Sequence, residues 1–304
     1  MDALLAHSLV VVTGKGGVGK STVAAALGVA AARRGARTIV VEVAARGDVP
    51  RVLGSSDATG AHGERAVAER LDHISIDPQH AMADYLRQQL PVGALAPLLS
   101  RSRIFTALTA ATPGMRELLT IGQVWELARQ ERGPRGGRPY DLVVLDAPAT
   151  GHGLAMLQAP RTFASVARVG PVAKQGRAIA SFLSDPRSTA VVAVSTAEEM
   201  PVTETIELRG QLREQVGLDL SLIVVNAVVP HRFSGRDRRT LQAAPPSPAR
   251  HAALFSATWA HHQRAQIARL RQGVRDVAFV TFPFVFGSAL DWAALERLSR
   301  ELEP

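Results

Sequence analysis

Cysteine is absent from this 304-residue chain. Its absence excludes disulfides, thiolate zinc sites and soft-metal sites built from sulfur. No apolar run approaches the length of a membrane span, and the first residues lack a positively charged segment followed by an apolar one, so we expect a cytoplasmic protein. Apolar residues make up 46% of the chain, which suits a globular fold.

Lysine is scarce, because Lys15, Lys20 and Lys174 are the only three and arginine serves at every other basic position. Two of them lie in one glycine-rich segment, where a compact ammonium suits a phosphate cradle better than a planar guanidinium. The formal net charge of +8 raises nucleic acid or anionic lipid as partners. Basic residues are nevertheless spread in ones and twos, and the densest group, at residues 236–239, has no interleaved aromatics. We therefore expect no nucleic-acid partner.

Short apolar, β-branched runs predict six buried strands. They lie at residues 8–13, 38–43, 142–146, 190–195, 220–226 and 277–282. Mostly helical stretches separate them, beginning with an alanine-rich helix over residues 19–34, and a last helix is predicted over 291–302. The alternation predicts an α/β fold with a doubly wound, mostly parallel sheet, in a single domain spanning residues 1–304.

Residues 78–132 contain helical segments, at 81–90 and 116–129, but no convincing strand. They predict a helical insertion in the domain, and a set of ordinary crossover helices is the alternative. Glycine, proline and arginine are frequent at residues 133–139, and prolines cluster within 231–250, so we expect surface loops there.

Residues 14–22 read Gly-Lys-Gly-Gly-Val-Gly-Lys-Ser-Thr and lie between a predicted strand and a predicted helix, as in P-loop nucleotide-binding proteins. Glycines let the backbone amides of the loop approach phosphates closely. The predicted phosphate-binding residues are Gly14, Lys15, Gly16, Gly17, Val18, Gly19, Lys20, Ser21 and Thr22. We expect Lys20 to contact the β- and γ-phosphates, Ser21 to ligate Mg²⁺ and Thr22 to contact the α-phosphate. The segment therefore predicts an ATP and Mg²⁺ site.

Asp146 ends a predicted strand, at the edge where open α/β sheets bind their ligands. We expect it to hold Mg²⁺ through water and to sense the γ-phosphate, although a strand-terminal turn aspartate is the alternative. Pro148, Gly151 and His152 follow in a segment that predicts a switch loop, which reorganises when the γ-phosphate leaves. An exposed loop histidine is the alternative for His152.

Lys15, directly after the first glycine of the loop, resembles the extra lysine of the deviant P-loop class that includes chromosome-partitioning and arsenical-pump ATPases. The run at residues 146–153, Asp-Ala-Pro-Ala-Thr-Gly-His-Gly, resembles the switch segment of the arsenical-pump and tail-anchored-protein-targeting ATPases, the ArsA-like family. Asn226 and Pro283 match positions that flank the adenine ring in relatives. The resemblance implies an ATPase in which Lys15 reaches the nucleotide of a partner subunit. It also implies a homodimer, or a heterodimer with a related ATPase chain.

The chain departs from that family after the second predicted strand, where an Asp-Pro pair positions the attacking water in relatives. Ala44 and Ala45 stand at these positions here. Three alternatives stay open: Glu42 acts as a catalytic carboxylate, Asp48 does so from the next loop, or slow hydrolysis depends on a partner chain. The arsenite site and the zinc clasp of relatives are built from thiolates, so neither can exist in this thiol-free chain.

The leading hypothesis is a slow ATPase whose nucleotide state changes a dimer and the handling of an unidentified client, with a membrane protein as one candidate. Arsenite is not expected as cargo without cysteine. The alternative is a nucleotide-binding regulatory subunit with negligible hydrolysis that pairs with a catalytic paralogue. A partitioning-type ATPase that patterns itself on DNA or membrane is a third interpretation. The acidic end of the last predicted helix, at Glu301 and Glu303, argues against anionic lipid.

Overall fold

A computed structural model describes residues 1–43, 47–53, 63–77, 114–129, 140–166, 171–287 and 290–303. The strands of this part of the chain are β1 (Leu9–Gly14), β2 (Thr38–Val43), β3 (Arg65–Ala68), β4 (Leu71–Ile76), β5 (Leu142–Asp146), β6 (Thr189–Thr196), β7 (Leu222–Val228) and β8 (Ala278–Pro283). They form one sheet in the order β3-β4-β2-β5-β1-β6-β7-β8. Only β3 runs antiparallel to its neighbour within these strands.

The helices of the described residues are α1 (Asp2–Leu5), α2 (Lys20–Arg33), α3 (Asp48–Val52), α4 (Met115–Ala128), α5 (Thr150–Val166), α6 (Pro171–Ser184), α7 (Glu199–Gln215), α8 (Gly235–Ala243), α9 (Pro248–Gly273) and α10 (Trp292–Arg300). They cover both faces of the sheet. Val10 and Val12 of β1 pack with α2 and α10 in one core. Leu9 and Val11 pack on the other face with α4 to α7 and α9. The sheet is thus buried on both sides, as its continuous apolar strands require.

The predicted α/β fold with a mostly parallel sheet is confirmed, and each of the six predicted strands exists within about two residues of its predicted bounds. The prediction missed the hairpin of β3 and β4. β3 is short and half-exposed, and Asp72, His73 and Ser75 interrupt the apolar residues of β4, so neither forms the continuous apolar run that marked the other strands.

The interpretation of residues 231–250 as a loop is wrong, because they contain α8 and the start of α9. Ser234 and Asp237 form a capping box that starts α8: each side chain accepts a hydrogen bond from the other's backbone N–H. Ser247 caps α9, and Pro248 occupies its first turn, where proline is tolerated. The segment does lie at the surface, since α8 has no buried residue.

Most of the predicted helical insertion, residues 78–113 and 130–132, lies outside the described residues, as does the loop predicted at 133–139. Its described part is α4, which packs against β5 and α5 and buries Leu118, Ile121 and Val124 against the sheet. This helix therefore occupies the place of a crossover helix. In the described part of the chain, no helix combines the length and apolar character needed to cross a bilayer.

Candidate functional site

The glycine loop joins β1, at the centre of the sheet, to α2. Gly14, Gly17 and Gly19 all have positive φ angles, which glycine adopts without a steric penalty. A Cβ at Gly14 would lie 2.2 Å from the backbone oxygen of Val194, and one at Gly19 would lie 2.1 Å from Nδ2 of Asn226. Neighbouring elements therefore require glycine at two of these positions, and the loop opens at the N-terminus of α2, where backbone N–H groups favour anions.

Lys20 and Ser21 begin α2 and face the base of the loop. The Lys20 ammonium donates a hydrogen bond to the backbone oxygen of Lys15, 3.0 Å away, which closes the loop on itself. Ser21 Oγ donates to Oδ2 of Asp146 at 2.6 Å. Thr22 follows, half-buried, and Val18 is buried. The structure thus brings the hydroxyl and the carboxylate predicted to hold Mg²⁺ into direct contact, while their roles toward Mg²⁺ stay predictions.

Glu42 and Asp146 are register neighbours in the parallel pair of β2 and β5, so their side chains project from the same face. The Glu42 carboxylate is buried and accepts three backbone hydrogen bonds, from Gly47 at 3.2 Å, Asp48 at 2.8 Å and Val49 at 3.3 Å. It thereby satisfies N–H groups at the start of α3. The geometry gives Glu42 a capping role, whereas its catalytic role stays a prediction. Ala44 and Ala45 lie outside the described residues.

The segment after Asp146 turns at once into α5. Pro148 is half-buried, while Gly151 and His152 are exposed in the first turn of α5 rather than in an extended loop. A Cβ at Gly153 would lie 3.0 Å from the Pro148 backbone oxygen, so glycine permits this helix to begin close to the sheet. A switch role for these residues stays a prediction.

Lys15 is held within its own chain. Its ammonium forms an ion pair with the carboxylate of Glu204 on α7, and each side chain is about one-third exposed. Nothing in the local sequence marks Glu204 as a partner, since the two residues are 189 positions apart. The extra lysine of the loop thus faces α7 in this conformation.

Asn226 and Pro283 lie at the carboxyl ends of the neighbouring strands β7 and β8. Asn226 Nδ2 donates to the backbone oxygen of Val18 at 2.9 Å, which ties β7 to the glycine loop. Pro283 is exposed. Gln263 of α9, which the sequence analysis did not select, contacts the backbone directly after Asn226. Its signal in the sequence is one polar residue in a stripe of otherwise apolar residues on α9, between Ala260 and Leu270.

Two shifted pKa values belong to a residue on β4 and to one just before β7. Burial lowers the pKa of His73 on β4 to about 4, and the positive charge of Arg65 acts in the same direction. Hydrogen bonds from Arg209 and Arg213 hold the pKa of Asp219, just before β7, well below its usual range. Asp219 thereby anchors α7 to the start of β7. Among the described residues, no group of three or more acidic, histidine or cysteine side chains could hold a metal ion by itself.

The architecture and loop agree with one family of known proteins. A family model described as anion-transporting ATPase matches residues 7–172 and 165–303. The chain belongs to this family. Membership of the anion-transporting ATPases confirms the resemblance that the glycine loop and the segment after Asp146 indicated.

Several relatives share this similarity. ATPase BagA of Mycobacterium tuberculosis is 31% identical over 230 residues, which are 74% of this chain and 66% of the relative. The arsenical pump-driving ATPase of Escherichia coli is 28% identical over 287 residues, 87% of this chain and 44% of the relative. A putative arsenical pump-driving ATPase of Halobacterium salinarum is 28% identical over 248 residues, 76% of this chain and 38% of the relative. The chain thus spans about two-thirds of the mycobacterial relative and less than half of the other two.

Proposed function

We propose that the chain binds ATP with Mg²⁺ and hydrolyses ATP slowly. The observation that carries this proposal is the 2.6 Å hydrogen bond between Ser21 Oγ and Asp146 Oδ2 at the base of the glycine loop. A hydroxyl and a carboxylate at the end of adjoining elements are the protein groups that a Mg²⁺–nucleotide site uses. The family supports ATP as the nucleotide and hydrolysis as the reaction, since its matched relatives are named as ATPases.

The residues present fit Mg²⁺. Both candidate groups, Ser21 and Asp146, offer oxygen, the element that this hard cation prefers. Mg²⁺ takes most of its ligands from water and phosphates, which agrees with the lack of an all-protein metal cluster among the described residues. When bound, the cation would neutralise phosphate charge, and Lys20 would add its own charge beside the β- and γ-phosphates.

Slow hydrolysis follows from the state of the two candidate carboxylates. Three backbone N–H groups occupy the oxygens of Glu42, and Asp48 pairs with Arg51 at 3.1 Å. These partners compete with a water for the lone pairs of each carboxylate. Phosphoryl transfer depends mainly on positioning and charge neutralisation, so imperfect water orientation would lower the rate without preventing ATP binding.

The proposal includes a dimer with a second copy or a related ATPase chain, in which Lys15 contacts the partner's nucleotide. The ion pair with Glu204 means that Lys15 has to exchange one anionic partner for another. An exposed ion pair contributes at most about 1 kcal/mol, which the greater charge of a nucleotide can replace. We propose that this exchange couples ATP to dimer formation, and through it to a client, for which a membrane protein is one candidate.

Steady-state phosphate release and ATP binding by purified protein test the core of this function. Lys20→Met removes the ammonium beside the phosphates, so we expect about a 100-fold slower release, as for loss of one group that stabilises transition-state charge. Lys174→Met makes the same change at an exposed lysine of α6 and is expected to leave release unchanged. Equal rates in the two variants would refute the proposed site.

Glu42→Gln and Asp48→Asn separate the carboxylate hypotheses in the same assay. A rate loss confined to one variant, with ATP affinity retained, would assign water orientation to that residue. If phosphate release is unchanged in both variants, neither carboxylate orients the attacking water. The remaining hypothesis is then that hydrolysis depends on a partner chain.

A nucleotide-binding regulatory subunit is the second candidate, and the capping of α3 by Glu42 favours it, because three N–H groups already take most of the hydrogen-bonding capacity of that carboxylate. This candidate predicts ATP binding without measurable phosphate release. Release should then appear only after addition of a catalytic paralogue.

A further inference from the structure

The strand that carries Asn226 ends in an irregular segment. The register of β7 against β8 shifts between Val225 and Val228, and Ala227 in between has a φ angle of 57°. A non-glycine residue in this left-handed region costs about 1–3 kcal/mol and persists only when its surroundings hold it. A bulge also changes the direction of neighbouring side chains. The bulge therefore contains Asn226, the residue that faces the glycine loop.

Gln263 of α9 stabilises this bulge through two hydrogen bonds. Its side chain is 3% exposed; Oε1 accepts a hydrogen bond from the Val229 N–H at 2.7 Å, and Nε2 donates to the Ala227 oxygen at 3.1 Å. On another side, the Phe284 N–H donates to the Val228 oxygen at 2.9 Å. Buried backbone groups need partners, and an amide provides one donor and one acceptor together. An apolar side chain of the same length would leave both groups of the bulge unpaired.

The bulge sets the direction of the Asn226 side chain, while a hydrogen bond fixes which of its amide atoms faces a ligand. Its Nδ2 is used by the backbone oxygen of Val18 at 2.9 Å, so Oδ1 is the atom that faces away from the loop. Oδ1 accepts hydrogen bonds and cannot donate them. At the corresponding edge, adenine carries an amino donor and guanine a carbonyl acceptor. An Asn226 held in this orientation therefore discriminates in favour of adenine.

We propose that Gln263 is a positioning residue for base selection. It holds the bulge that contains Asn226, and the bulge keeps the Asn226 carboxamide oriented toward adenine. The inference rests on the proposed function, because it concerns the base end of the same nucleotide site. It assigns no contact between Gln263 and the phosphates, which bind at the other end of that site. Loss of Gln263 should consequently change base selection and leave phosphate binding intact.

The test compares Gln263→Met with Gln272→Met, the same change at an exposed position of α9. Dissociation constants are measured by titration calorimetry for ATP, GTP and inorganic tripolyphosphate, each with Mg²⁺. We expect Gln263→Met to weaken ATP binding about 10-fold, in the range for a hydrogen bond lost from a recognition site, and to reduce the ATP-to-GTP affinity ratio. Tripolyphosphate binding should be unchanged, and Gln272→Met should match the unsubstituted chain in all three.

Gln263→Glu keeps the shape and the acceptor toward Val229, so it serves where Gln263→Met fails to fold. We expect it to reduce the ATP-to-GTP affinity ratio less than the methionine does. Parallel losses of ATP and tripolyphosphate affinity would mean a merely structural role and would overturn the inference. An unchanged ATP-to-GTP affinity ratio in Gln263→Met would also overturn it. So would equal affinities of the unsubstituted chain for ATP and GTP. If that chain binds neither ATP nor tripolyphosphate, the proposed function itself fails.

Discussion

At two positions of the glycine loop, neighbouring atoms leave no room for a side chain. Gly14 abuts the backbone of β6, and Gly19 abuts the side chain of Asn226. Gly16 differs, because a Cβ there would meet nothing within 4 Å. The glycines of one motif thus differ: some permit the sheet and loop to pack, and Gly16 borders open space, where we predicted a ligand.

At the same scale, His73 gives the protein a pH-dependent stability. Burial holds its pKa at about 4 in the folded chain, against 6.5 for the ordinary side chain. Above pH 6.5 both states are neutral and the residue has no effect. Between pH 6.5 and 4 the unfolded chain binds the proton first, so the free energy of unfolding falls as pH falls, by about 3 kcal/mol in all.

Urea unfolding across this pH range measures the effect. His73→Gln should remove most of the decrease between pH 6.5 and 4, because glutamine does not titrate. His261→Gln, at an exposed histidine of α9, should keep the slope of the unsubstituted chain. An unchanged slope in His73→Gln would contradict the assignment to burial of this residue.

At the scale of elements, α10 packs against α2, the helix that follows the glycine loop. Leu295 and Leu298 are buried in the same core as the alanines of α2, and Asp291 caps α10 by accepting a hydrogen bond from the Ala294 N–H at 2.7 Å. The small residues of α2 permit close packing against the sheet: a Cβ at Gly28 would lie 2.6 Å from Val40. The position of the loop therefore depends on a helix near the other end of the chain.

Leu295→Ala should reduce the free energy of unfolding by about 2–5 kcal/mol, since it creates a cavity in a fully buried site. Chemical denaturation gives the value directly. Arg297→Ala, exposed on the same helix, should change it by less than about 0.5 kcal/mol. If Leu295→Ala also lowered the free energy of unfolding by less than about 0.5 kcal/mol, α10 would not be part of the core.

The elements that could be predicted are those whose local sequence pattern agrees with their final structure. Continuous apolar strands and the alanine-rich α2 follow from periodicity alone, and the glycine loop with Asp146 follows from a contiguous motif and a strand end. The hairpin of β3 and β4 escaped because β3 is a short edge strand and polar residues interrupt the apolar run of β4. Contacts such as Lys15 with Glu204, or Gln263 with the bulge, join distant positions, and pattern along the chain gives no measure of distance in space.

On the scale of the whole molecule, one segment of the chain carries a large excess of positive charge, although its arginines are spaced in ones and twos. Residues 231–275 contain nine arginines and one aspartate, so this segment alone accounts for a formal charge of +8, the value for the entire chain. It forms α8 and α9, whose charged side chains are mostly exposed. Two copies meeting through this face would repel each other, so a homodimer should use another face, and Lys15 lies next to α7 instead.

The scarcity of lysine makes the proposed exchange of Lys15 measurable. Brief acylation with an amine-reactive reagent, mapped by mass spectrometry, compares Lys15 with the exposed Lys174 as internal reference. Glu204→Gln should raise the relative modification of Lys15 about two- to fivefold, since it removes an ion pair of modest strength. Glu207→Gln, exposed on the same helix, should leave it unchanged.

Mass measurement in ATP completes this prediction. If the ion pair opposes dimer formation, Glu204→Gln should dimerise at lower protein concentration than the unsubstituted chain. A Lys15 modification ratio in Glu204→Gln equal to that in Glu207→Gln would contradict the exchange, even if ATP binds normally.

The order of strands also has a consequence for folding during synthesis on the ribosome. Leu9 pairs with Val143 and Thr189, and Asn226 reaches back 208 residues to Val18. A ribosome makes the glycine loop first and Asn226 much later. At about 5–20 residues per second, some 10–40 seconds separate the two, and for about the first 7–27 seconds the apolar strand β1 has no partner strand. Until the seventh strand has left the exit tunnel, a nascent chain therefore holds the glycine loop without the hydrogen bond from Asn226.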